Sequence, residues 1–235
     1  MPATRLVHLL ERLEGFYGRL KAPPEEPFRL FVWDVLSVHA APARRDAAMA
    51  ALQRIPALTP DAMWRAPRGK LEAAVQQAGP YLEQRLQALQ IGVQVFRRAP
   101  DLPRVLTGPL AAARRALKPL PRLGDTGPHR MLLFSGGHLV LPVDAPACRT
   151  GLRLGYGRPA ADFRGTVKRV QHALVTELPP EVAIWRRAAI YLSHHGAATC
   201  VEAAPHCSVC PLLVDCADGQ RRSGLVRRPG PARVN

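Results

Sequence analysis

Apolar residues recur at Leu6, Leu9, Leu10, Leu13, Phe16, Tyr17 and Leu20, the i, i+3, i+4, i+7 spacing of an amphipathic helix. Pro23 and Pro24 end that pattern. Pro27 then suits a first helical position, and Phe28 to Ala40 is predicted as a largely buried helix. The same reasoning predicts helices at 42–54, 60–66, 69–78 and 81–98, with Thr59-Pro60-Asp61 as a start signal. A stretch punctuated by proline and glycine covers 99–109. Beyond it, helices are predicted near 110–117, 128–135, 144–154, 162–177 and 181–195, with a turn at 119–126. Strand-like alternation is confined to one short β-like run, residues 137–143. The chain therefore predicts an all-α fold built of many short helices, with no internal repeat of solenoid length.

Composition narrows this picture. With 47% hydrophobic and 22% charged residues, the 235-residue chain has ordinary globular usage, which argues against a disordered or fibrous protein. Its longest strictly apolar runs, such as Met131-Leu132-Leu133-Phe134, fall far short of the roughly 20 residues that span a bilayer. Arg5, His8, Glu11 and Arg12 interrupt what a secretory signal would need as its apolar segment, so a cytoplasmic protein is expected. The 33 basic against 18 acidic residues give a net charge of +15, which points to a polyanionic partner. Lys21, Lys70, Lys118 and Lys168 are the only lysines, however, and such an arginine-rich chain is also what a GC-rich coding bias would produce. The stretch 221–235 carries five arginines and no acid, and is expected to be a disordered basic arm.

Cys200, Cys207, Cys210 and Cys216 form a C-x6-C-x2-C-x5-C pattern. Thiols this dense either chelate a soft metal or oxidise, and five cysteines are too few for a disulfide scaffold. Structural zinc sites usually present two paired knuckles. Here one pair is flanked by two single cysteines at unequal distances, which suits a 4Fe-4S cluster better, with zinc and an unmetallated group as alternatives. Cys148 is expected to be a small buried hydrophobe.

The cysteine spacing, preceded by His195-Gly196, resembles the iron-sulfur loop of the endonuclease III family of helix-hairpin-helix DNA glycosylases. Leu120-Pro121-Arg122-Leu123-Gly124 resembles that family's hairpin, usually L-P-G-V-G, and Val143-Asp144 resembles the dipeptide that carries its catalytic aspartate. Phe28 to Ala41 resembles the helix whose end reads L-L-S-A-Q-A in relatives. The correspondence spans roughly residues 5 to 218. It implies a two-lobed all-α fold: a six-helix barrel lobe with the hairpin (24–134), and an iron-sulfur lobe (1–23 plus 135–220), followed by the tail 221–235. It also implies a prokaryotic, nucleoid-associated monomer that acts on double-stranded DNA carrying a damaged or mismatched base. Arg122, Leu123 and Gly124 would then contact phosphate, with His39, Pro80 and Tyr81 reaching into the duplex. The four cysteines would hold the cluster.

Two departures from the family pattern bear on chemistry. Members that cleave strands carry a lysine two positions after the hairpin glycine, and here that position is Thr126, which cannot form a Schiff base. Arg122 stands where the family has its first hairpin glycine; at positive φ an arginine costs about 1 kcal/mol. Asp144 retains a carboxylate suited to stabilising positive charge on a sugar. At about 4 Å and an effective dielectric near 20, that attraction is worth roughly 4 kcal/mol, about three powers of ten in rate. The resemblance thus implies a DNA N-glycosylase with little or no lyase activity. The alternative is a catalytically degenerate protein that binds damaged or bent DNA. Asp144 followed by Ala145-Pro146 is also an N-cap signature, and the two roles are compatible.

Overall fold

Helix-start chemistry recurs along the chain and sets the element boundaries. The computed structural model describes residues 4–121 and 123–225. Its helices are α1 (Arg5–Tyr17), α2 (Pro27–Ser37), α3 (Pro42–Arg54), α4 (Pro60–Arg65), α5 (Arg68–Gln76), α6 (Leu82–Arg98), α7 (Leu102–Thr107), α8 (Leu110–Ala116), α9 (Gly127–Phe134), α10 (Ala145–Arg153), α11 (Phe163–Val175), α12 (Val182–Ala198) and α13 (Ala217–Arg222). Thr4, Glu26, Thr59, Asp144 and Asp162 cap α1, α2, α4, α10 and α11, each accepting a backbone N–H of the first turn. Among the described residues there is no strand, so the all-α expectation holds.

The chain divides into two units, residues 23–140 and residues 1–22 with 141–235. In the first, Phe28, Phe31 and Phe96 form an aromatic nucleus between α2 and α6. Gly92 lets α6 approach: a Cβ there would meet the Phe31 ring at 2.0 Å. The second unit is organised by α10 and α12. A Cβ at Gly196 would lie 2.2 Å from the Pro146 carbonyl oxygen, so glycine permits that backbone contact. Trp185 is buried there and donates its indole N–H to Pro179 O.

Three expectations need correction. Helix α7 lies in the stretch whose prolines suggested irregular structure; Pro103 falls in the first turn of α7, where a missing N–H costs nothing. The β-like run 137–143 forms no strand: Gly137 has φ 69, and the Val140 N–H bonds the His138 carbonyl at 2.8 Å in a tight turn. Of the stretch expected from 221 onward as a disordered arm, Arg221 and Arg222 instead form the last turn of α13, and residues 226–235 lie outside the described residues.

Candidate functional site

In the unit 23–140, α8 and α9 are joined by a tight hairpin. Leu123 is buried and accepts the Gly127 N–H at 2.8 Å. A Cβ on Gly127 would lie 2.8 Å from the Leu123 Cβ, so glycine lets the hairpin close on the start of α9. Gly124 has φ 58 with open space around it, so conformation rather than crowding calls for glycine. Thr126 caps α9 in an ordinary right-handed conformation and is half-buried. Lys118 is exposed. The expectation for Arg122 lies outside the described residues.

His39 and Tyr81, far apart in sequence, come together in the same unit. Their ring centroids are 5.2 Å apart. Both adopt left-handed conformations, φ 53 and φ 72, which cost a residue bearing a Cβ on the order of 1 kcal/mol each. His39 and Pro80 are exposed, and Tyr81 is 48% exposed. Trp33 is half-buried, with the Arg45 and Arg130 guanidiniums 4.3 and 5.2 Å from its ring centre. Arg130 also pairs with the buried Asp34, whose carboxyl burial pushes up to about 6 despite that partner.

Asp144 belongs to the other unit. It is the N-cap of α10: Oδ1 accepts the Ala147 N–H at 2.9 Å, and Oδ2 accepts the Ser193 hydroxyl of α12 at 2.5 Å. The carboxylate is half-buried and oriented through both oxygens.

The same unit carries the cysteines. Cys200, Cys207, Cys210 and Cys216 line one cavity, together with Arg153 and His195. Cys148 is buried and outside that lining. Hydrogen-bond donors converge on the sulfurs: Leu212 N–H lies 3.4 Å from Cys210 Sγ, Gly219 N–H 3.3 Å from Cys216 Sγ, and Arg153 Nη1 3.3 Å from Cys200 Sγ. Arg153 further donates to the carbonyls of Cys200, Val201 and Glu202, and Arg149 to those of Cys200 and Gly196. Behind Cys210, His195 Nε2 lies 3.7 Å from the sulfur, while its Nδ1 meets the Tyr17 hydroxyl at 2.8 Å. Burial pushes His195 down to about 4, so the ring is neutral and holds one proton. Burial pushes the Cys210 thiol up to about 11; the Leu212 amide opposes the rise, and Cys200, Cys216 and Cys207 add to it. Thiolates in this pocket therefore call for a compensating cation, and donors aimed at sulfur fit a thiolate-ligated metal centre.

Sequence reasoning missed Ser193, Arg85, Arg149, Arg153 and the Tyr17–His195 pair. The four cysteines share one cavity, and His39, Pro80 and Tyr81 share one surface.

The architecture is that of an all-helical, helix-hairpin-helix protein with a C-terminal four-cysteine loop. It is the endonuclease III fold. Two solved structures share it with a TM-score of 0.71, each covering 92% of this chain and 96% of its own: a trapped endonuclease III–DNA covalent intermediate in an estranged-adenine complex, 22% identical, and a non-covalent endonuclease III–DNA complex, 21% identical. In sequence, the chain is similar to the endonuclease III of Bacillus subtilis (strain 168), 30% identical over 123 residues. That match covers 52% of this chain and 53% of the relative, about half the length of each. No protein-family profile matches the chain. The resemblance to endonuclease III read from the cysteine loop, the hairpin and Val143-Asp144 is thus borne out by sequence and by fold.

Proposed function

We propose that this protein is a base-excision DNA N-glycosylase that works without a lyase step. The observation that carries the proposal is Asp144, a carboxylate fixed through both oxygens at a helix start, in a chain with the endonuclease III fold and a threonine at position 126. Breaking an N-glycosidic bond builds positive charge on the sugar, and a pre-oriented carboxylate stabilises it without reorganising. Thr126 offers no amine for Schiff-base chemistry, so water is the nucleophile and the abasic strand remains intact.

In this reading the partner is double-stranded DNA with a damaged or mismatched base, bound by a monomer in the cytoplasm. Among the described residues, no helix is long and apolar enough to cross a membrane. Leu123 and Gly124 set the hairpin whose backbone N–H groups, with Arg122, meet phosphate. His39, Pro80 and Tyr81 enter the duplex. Cys200, Cys207, Cys210 and Cys216 hold a 4Fe-4S cluster. The four cysteines line one cavity, and hydrogen-bond donors aimed at their sulfurs suit a thiolate-ligated centre. When bound, the cluster would cross-link Cys200, just beyond α12, to Cys207, Cys210 and Cys216.

A catalytically degenerate DNA-binding protein is the second reading, favoured by the internal hydrogen bonds that engage both Asp144 oxygens. One assay separates the two. Duplexes bearing oxidised pyrimidines, uracil, alkylated purines or mismatches are incubated with the protein and scored for breaks before and after hot alkali. Breaks only after alkali are expected. Breaks without alkali would overturn the absence of a lyase step, and binding without any break would leave the non-catalytic reading.

A further inference from the structure

Among the described residues, His39 and Tyr81 are the two non-glycine positions with positive φ, and they touch each other. Two independent backbone strains that meet at one exposed ring pair need something to hold them. That something lies directly beneath. Arg85, in the first turn of α6, is 1% exposed, and its guanidinium spans the two loops that carry the rings. Nη2 donates to the carbonyl of Val38, next to His39, at 2.6 Å. Nη1 donates to the carbonyl of Gly79 at 3.1 Å and to that of Pro80, next to Tyr81.

From this geometry we infer that Arg85 is a positioning residue that locks His39 and Tyr81 into one rigid stacking platform for an unpaired nucleobase. The inference deepens the proposed reading and rests on it for the identity of the ligand. A buried cation needs its donors answered, and here carbonyls from both loops answer the two Nη groups. Because the same guanidinium bonds both loops, neither the backbone at His39 nor that at Tyr81 can shift without breaking a bond of the clamp. The rings gain nothing from this as core, since His39 is exposed and Tyr81 is 48% exposed. An exposed aromatic pair on a chain of net charge +15 suits a base of a polyanion: the base stacks on the ring faces, and the chain's positive charge favours the phosphate backbone. Pre-paying the ordering of both rings in the free protein favours binding where a base has lost its partner.

The test uses the full-length, metal-loaded protein and a duplex with 2-aminopurine opposite a tetrahydrofuran abasic site. Wild type is expected to prefer this duplex over an intact one and to change the 2-aminopurine emission. Arg85→Met is expected to cut the preference about tenfold and to abolish the emission change. Arg85→Lys, which keeps the cation but cannot fork to both loops, falls between. His39→Ala and Tyr81→Ala should combine to less than the sum of their separate losses, and Arg85→Met on a Tyr81→Ala background should add little, as for residues acting through one another. Full preference in a folded Arg85→Met protein, or additive losses, overturns the platform. If Arg85→Met does not fold by circular dichroism, Arg85→Lys and the His39/Tyr81 cycle decide. Ring-to-ring NMR cross-peaks between His39 and Tyr81 in the free protein separate the two levels. Their loss in Arg85→Lys supports the lock even if wild type ignores the abasic site, an outcome that sinks the DNA reading alone. Unchanged cross-peaks sink the lock.

Discussion

Ser193 on α12 donates its hydroxyl proton to Oδ2 of Asp144 at 2.5 Å, across 49 residues of sequence. With the Ala147 amide on Oδ1, this fixes the carboxylate plane and not merely its position. Asp144→Asn keeps a good N-cap and removes the charge, so the fold is expected to survive while excision falls by about three orders of magnitude. Asp144→Ala should in addition lose about 1 kcal/mol of stability with the cap. Ser193→Ala should slow excision about tenfold, because the carboxylate loses the partner that fixes its plane. Single-turnover rates and thermal midpoints check all three. Normal excision by Asp144→Asn would remove the carboxylate from the chemistry.

Thr126→Lys tests whether the residue at position 126 alone sets the proposed absence of a lyase step. Thr126 is half-buried at the start of α9 with φ −92 and ψ −33, so a lysine fits its backbone without strain. The variant is expected to break strands before alkali and to leave a covalent protein–DNA product when borohydride is present, whereas wild type gives neither. A variant that excises bases but forms no trapped product would mean that position 126 does not reach the sugar.

Much of this architecture was legible because local chemistry and period agreed. Thr59-Pro60, Asp144 followed by Pro146, and the apolar spacing in α1 each announced an element that formed. The cysteine spacing pointed to a cluster site, and the structure brings the four cysteines to one cavity. What escaped were partners distant in sequence. Ser193 sits in an apolar helix with nothing local to mark it. Arg85 did leave a trace: it precedes Ala88, Leu89, Gly92, Val93 and Phe96 at helical spacing, so it extends the buried stripe of α6 by one turn. An arginine on an apolar stripe is a candidate buried clamp, and the pattern could have shown it. Helix α7 was hidden because a proline that ends a helix elsewhere starts one here.

Arg153 braces the cysteine loop through the carbonyls of Cys200, Val201 and Glu202 and through Cys200 Sγ. Arg153→Met should therefore lower iron and acid-labile sulfide per chain and cost about 3 kcal/mol, the scale of losing hydrogen bonds to a charged group. Arg153→Lys should recover part of both, since an ammonium lacks the planar fork. Metal analysis, visible absorbance and thermal midpoints check this. Full iron content with an unchanged midpoint in Arg153→Met would show that the loop holds itself.

Asp34 provides a pH dependence in the other unit. Burial raises its carboxyl from 3.8 to about 6, against the pull of Arg130. The folded state thus keeps this proton to higher pH than the unfolded state does. The stability Asp34 contributes is complete below about pH 4 and is lost as pH rises through 6, a range of two pH units or roughly 3 kcal/mol. Other carboxylates act in the opposite sense, so the quantity to follow is the difference from Asp34→Asn, which cannot titrate. Between pH 5 and 7.5, wild type should lose about 1 kcal/mol relative to that variant in urea unfolding. A difference that stays flat, or that grows in favour of wild type, would mean that Arg130 outweighs burial and that Asp34 is already ionised at pH 5.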